Sequence, residues 1–124
     1  MRKTIALCLL LCATPWAVGQ TGAFDGQWTA RFIAAEQPRQ AKVVIQGEGG
    51  SWQTQYLPQG ADICFKLEVP IEVSNATAHE ITLRGRASKA LAGCADGNPI
   101  TFKRVDDNTL EGQFADGRPV KLVR

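Results

Sequence analysis

Apolar and polar side chains alternate with a period of two along most of this chain, which is the pattern of strands with one buried face. The alternation predicts eight strands, at residues 27–32, 41–46, 51–56, 63–73, 80–84, 100–105, 109–114 and 120–123. The longest is 63–73, where every second residue from Ile63 to Val73 is apolar. Pro70 falls inside it and cannot donate a ladder hydrogen bond, so we expect this strand to lie at an edge, to bulge or to break there.

Turn residues separate the eight segments. Glycine, proline, aspartate and asparagine cluster between them, and the one helical signal is a single turn at 87–92. Short strands joined by close turns predict an all-β fold, an antiparallel meander of about eight strands. The meander either closes into a small up-and-down barrel or flattens into a sandwich. A barrel of this size is filled by its own side chains or holds one small ligand.

The first nineteen residues have the three parts of a secretory signal peptide. A basic start at Arg2 and Lys3 precedes an apolar run at 4–12 and a small-residue exit that ends at Gly19. The apolar run is too short to anchor the chain in a bilayer. We therefore predict removal of residues 1–19, a single β-domain at 20–124 and no membrane insertion of the mature chain.

Charge and cysteine content describe the setting of that domain. Fourteen Lys and Arg face twelve Asp and Glu, and loss of Arg2 and Lys3 leaves twelve of each. A neutral domain has no overall attraction for nucleic acid, so we expect none as a partner. Two cysteines remain, Cys64 and Cys94, and an even pair in an exported chain predicts one disulfide. The compartment is then the bacterial periplasm, or the outside of a cell.

The first strand opens with Phe-Asp-Gly-Gln-Trp, residues 24–28. Its Gly26-x-Trp28 core resembles the first-strand signature of the lipocalins and avidins, in which the tryptophan plugs one end of a barrel. The whole opening also resembles a group of small secreted bacterial β-domains that begin F-D-G-x-W. The resemblance covers five residues and implies an up-and-down barrel. From the residues themselves, Trp28 is a core anchor and Gly26 lets the chain bend.

Two pairs of side chains are candidates for binding. Trp52 and Tyr56 fall on one predicted strand face, with Thr54 between them, and either pack inward or form an exposed patch. Arg84 and Arg86 share another face and could grip a carboxylate or phosphate, or simply form a solvated surface.

No grouping of residues indicates catalysis. The serines lack a nucleophile motif, and a single histidine, His79, in a predicted loop gives little basis for a metal site or for acid–base chemistry. We therefore expect no enzyme activity, metal or cofactor. The sequence favours an exported, non-catalytic binding protein that acts on a protein partner, as an inhibitor, immunity or accessory protein, through a sheet face and loops. The alternative is a carrier of a small molecule in a barrel lumen, and a small hydrolase using His79 is a third hypothesis.

Overall fold

The computed structural model describes residues 22–124, which form a closed barrel of eight antiparallel strands in consecutive order. The strands are β1 (Gly26–Ala34), β2 (Gln37–Gln46), β3 (Gly49–Gln55), β4 (Glu68–Ala76), β5 (Glu80–Gly85), β6 (Ile100–Asp106), β7 (Thr109–Gln113) and β8 (Pro119–Val123). The predicted all-β meander is confirmed, and the barrel is the form it takes. The predicted signal peptide, residues 1–19, lies outside the described residues.

Two helices of four residues lie within the described part of the chain, α1 (Ile63–Lys66) after β3 and α2 (Ala87–Ala90) after β5. The second matches the single helical turn predicted at 87–92. Neither has the length and apolar character that crossing a membrane requires.

Pairing of the first and last strands closes the sheet. β1 pairs with β2 along its whole length and with β8 from Thr29, opposite Val123, to Phe32, opposite Val120. Every strand of the barrel therefore has two neighbours, and none presents a free edge. The inner face carries the buried residues, which form one continuous core: Phe24, Trp28, Ala30, Ala41, Val43, Ile45, Ile71, Ile81, Leu83, Phe102, Leu110, Val120 and Leu122.

Aromatic and arginine side chains close the end of the barrel at which β1 begins. Trp28 is buried there, and its indole Nε1 donates a hydrogen bond of 2.9 Å to the carbonyl of Phe24. The Arg124 guanidinium lies 4.1 Å from the centre of the Trp28 ring, and that of Arg104 lies 4.7 Å from the Phe24 ring. Gly26 has a φ of 134°, which favours glycine, at the point where the chain turns from this floor into β1.

The predicted strand 63–73 is wrong in its first half. Ile63–Lys66 forms α1, because the Asp62 carboxylate accepts a hydrogen bond of 2.8 Å from the Cys64 N–H and begins a helical turn. Pro70 lies inside an unbroken β4, opposite Ser51, and its carbonyl accepts the Arg86 N–H. The irregularity in β4 occurs further on, between Val73 and Asn75.

The predicted disulfide is present. Cys64 in α1 bonds Cys94 in the connection between α2 and β6, across a separation of 30 residues. It therefore ties together the two longest connections of the barrel, which lie at the end opposite the floor.

Removal of this disulfide should destabilise the barrel strongly. A disulfide that closes a loop of about 30 residues lowers the entropy of the unfolded chain. In the chain-entropy model this raises the free energy of unfolding by about 3–4 kcal/mol. We expect Cys64→Ser with Cys94→Ser to lower the melting temperature by more than about 10 °C. Thermal unfolding followed by circular dichroism, with and without reductant, measures this. Reductant should leave the double variant unchanged, and an unaltered melting temperature in that variant would contradict the prediction.

Candidate ligand-binding site

A cavity of about 840 Å³ occupies the end of the barrel opposite the floor. Ligand sites in proteins typically measure about 300–1,000 Å³. Buried Ile71 and Leu83 lie at its base, and above them the inner faces of the strands continue as half-buried apolar side chains. Its apolar lining includes Phe32, Trp52, Val69, Ile71, Leu83 and Ile100 from strands, and Leu57, Phe65, Leu67 and Phe114 from the connections.

Three aromatic side chains form a band on the wall of this cavity. The ring of Phe32 lies 5.3 Å from that of Phe114 in an edge-to-face arrangement, and 6.1 Å from that of Trp52. The Trp52 indole donates a hydrogen bond of 3.2 Å to the Thr54 hydroxyl, so its polar atom is satisfied within β3. The band therefore presents apolar surface to the opening.

The predicted pairing of Trp52 with Tyr56 on one face is wrong. Trp52 lines the cavity, whereas Tyr56 is 80% exposed and borders a groove on the outer surface. β3 ends at Gln55, and Tyr56 has a φ of 55°, so the alternation of faces stops one residue before Tyr56. The two aromatic residues therefore cannot form a single patch.

Arg84 and Arg86 lie together on the outside of the barrel, where both contact Glu72. Arg86 donates to Glu72 at 2.7 Å and to Asp96 at 2.7 Å, and Arg84 lies 3.7 Å from Glu72. Lys89 adds a third cation to Glu72 at 3.1 Å. An external anion would have to displace these carboxylates. The arrangement instead fastens the connection that carries α2 to β4.

The pKa values of the two carboxyl groups reflect this network. Hydrogen bonds from the backbone and then the side chain of Ser88, with a smaller one from the Arg86 side chain, bring the pKa of Asp96 down to about 2. The hydrogen bond from Arg86, followed by that from Lys89, lowers the pKa of Glu72. The ionised forms of Glu72 and Asp96 therefore stabilise the folded state relative to the unfolded one.

Four charged side chains line the cavity: Arg39, Arg118, Asp62 and Asp116. Arg118 donates to Asp116 at 2.7 Å and to the Ile33 carbonyl, and its guanidinium lies over the Phe114 ring. Arg39 forms no ion pair with any carboxylate of residues 22–124.

The remaining candidates for chemistry lie away from the cavity. His79 is exposed in the turn between β4 and β5, at the floor end, and its N–H donates to the Thr77 hydroxyl. Residues 22–124 contain no group of three or more His, Cys, Asp and Glu side chains suited to a metal ion.

Comparison with known proteins adds no relative. No protein-family model matches the chain, and neither the curated proteins nor the solved structures contain a match. The functional interpretation of the candidate site therefore depends on the geometry of the site alone.

Sequence reasoning missed three residues of this site, Phe32, Arg39 and Phe114. Phe32 and Phe114 are the last residues of the first and seventh predicted strands, and the alternation by itself gives neither a role in binding. The sequence does indicate that Arg39 faces inward. It lies two residues before Ala41 and four before Val43, which are buried, so it falls on the same face of β2.

Acid should weaken the fastening of the α2 connection. Because the pKa of Asp96 is lowered in the folded state, the ionised carboxylate stabilises the fold fully at any pH above the ordinary pKa of aspartate. This contribution is lost as the pH falls toward the folded-state pKa of about 2. We expect Asp96→Asn to lower the melting temperature at neutral pH, with the difference from the natural protein shrinking between about pH 4 and pH 2.

The control is Asp107→Asn, at the floor end, whose carboxylate is 95% exposed and makes one contact of 3.5 Å. It should change the melting temperature little at any pH. A difference between Asp96→Asn and the natural protein that stays constant down to about pH 2 would contradict the assignment.

Proposed function

We propose that this protein binds a small apolar molecule in the open end of its barrel, as a carrier. The observation that supports this most directly is the unfilled cavity of about 840 Å³ above a packed core and a closed floor. Half-buried aromatic side chains that face open space lack packing partners on that side. A ligand that fills the cavity supplies those contacts and removes apolar surface from water.

The proposed setting is the periplasm or the extracellular space. The disulfide supports it, because such bonds persist in oxidising compartments, and the signal-peptide pattern at residues 1–19 agrees. In this proposal the protein is not an enzyme. Its cavity holds two aspartates and two arginines, and Asp116 and Arg118 pair with each other.

A bulky side chain at the mouth should block binding. Ala34 lines the cavity at the end of β1, and its neighbour Ile33 points outward and is 58% exposed. We expect Ala34→Trp to weaken the binding of the neutral fluorescent probe N-phenyl-1-naphthylamine by at least about tenfold. Ile33→Trp, the matched control, should leave the affinity unchanged.

Fluorescence titration measures both affinities. Circular dichroism checks that each variant is folded. If the natural protein does not bind the probe, or if both variants bind it equally well, the lumen is not the binding site.

Binding of a protein partner is the second candidate function, and the outer groove favours it. Ile33, Tyr56 and Val105 are 58%, 80% and 57% exposed and border the same groove across the outside of the sheet. Exposed apolar side chains grouped in this way are typical of interaction surfaces.

A native mass spectrum of the protein purified from its own exporting host should separate the two candidates. The carrier proposal predicts a small bound mass that Ala34→Trp removes and Tyr56→Ser keeps. The partner proposal predicts a co-purifying protein that Tyr56→Ser releases and Ala34→Trp retains. A bound mass insensitive to Ala34→Trp would count against the carrier.

A further inference from the structure

Arg39 occupies an inward position of β2 at the mouth of the cavity. Ala41, Val43 and Ile45 follow it at steps of two, and all three are buried. Its partner across the β1–β2 ladder is Phe32, a member of the aromatic band. Arg39 is half-buried and borders both the cavity and the outer groove, so it lies where the apolar wall meets water.

The other charged groups of the lining already have partners within the chain. Asp116 holds Arg118. Asp62 is exposed, and its carboxylate accepts the Cys64 N–H at the start of α1. Arg39 is thus the one lining cation among residues 22–124 without a carboxylate partner. A guanidinium presents several fixed donors that match a carboxylate or a phosphate.

We infer that the ligand is an amphiphile with an anionic head group, which Arg39 binds at the mouth while the apolar part fills the cavity. The inference rests on the proposed carrier function and names its ligand class. A tail that enters below Arg39 meets Phe32 and Trp52 first and then the base at Ile71 and Leu83. The head group stays beside water, so little of its hydration is lost.

Three probes with the same twelve-carbon chain test this inference: dodecanoate, dodecyl phosphate and dodecan-1-ol. Each is titrated below its micelle concentration against the full chain, purified after export, by displacement of N-phenyl-1-naphthylamine. We expect at least one anionic probe to bind about tenfold or more tightly than the alcohol, since hydrogen bonds to charged groups are the stronger class. Which of the two binds more tightly distinguishes a carboxylate from a phosphate ligand.

Substitution of Arg39 should remove this preference and spare the cavity. Arg39→Gln should weaken the anionic probe about tenfold and leave the alcohol and the naphthylamine within about twofold. Arg39→Lys keeps the charge without the planar fork and should retain part of the preference. The control is Arg31→Gln, on the outer face of β1, which should bind all the probes as the natural protein does.

The outcomes separate the two claims. If the naphthylamine and the alcohol bind but the anions have no advantage, or if Arg39→Gln weakens all probes alike, the inference about Arg39 is wrong and the carrier function stands. If no probe binds the natural protein, the carrier function itself fails. An anion preference that survives in Arg39→Gln and is lost in Arg31→Gln would place the head group outside the barrel and overturn the inference.

Discussion

Closure of the sheet between β1 and β8 is the constraint on which the rest of this structure depends. Once Thr29 is opposite Val123 and Phe32 opposite Val120, the inner faces of eight strands must share one narrow interior. Large side chains fill that interior near the floor, where Trp28 and Phe24 are buried. An eight-stranded barrel has room for side chains or for one small ligand, and this barrel uses its two ends differently.

The connections at the mouth are fastened to one another and to the outside of the barrel. The disulfide joins α1 to the connection after α2, and Arg86 links that connection to β4 through Glu72 and Asp96. These attachments fix two long connections at the rim, where side chains of the first, among them Leu57 and Phe65, line the cavity. Small residues line the same region, among them Ala34, Ala61, Ala87, Ala95 and Gly97. The loops therefore border the opening instead of filling it.

Charge at the mouth is arranged unevenly. Asp116 neutralises Arg118 beside the Phe114 ring, whereas Arg39, at an inward strand position facing the opening, has no such partner among residues 22–124. A cation beside an apolar wall loses part of its hydration, and an ion pair offsets the free-energy cost of that loss. The cavity therefore has an apolar interior and, at its entrance, one cation without an ion-pair partner in the described part of the chain, Arg39.

The sequence by itself determined the eight strands and their order, because alternation with a period of two is a local consequence of burying one face. It also determined the disulfide, since Cys64 and Cys94 are the one pair left after the predicted signal peptide. The same pattern was wrong at Ile63 and Phe65, where the hydrogen bond from Cys64 to Asp62 begins a helical turn in place of a strand. It was wrong at Tyr56 too, because a single positive φ ends the strand.

Only the tertiary structure decided between a barrel and a sandwich, and only it revealed the cavity and the position of Arg39. The volume of the cavity depends on the combined size and packing of side chains from eight strands and their connections. No single segment of the chain determines that volume. The role of Arg39 likewise depends on whether side chains fill the lumen beside it. An inward arginine is a defect in the core of a filled barrel. This barrel is open at that end, and Arg39 is the group that we propose binds the ligand there.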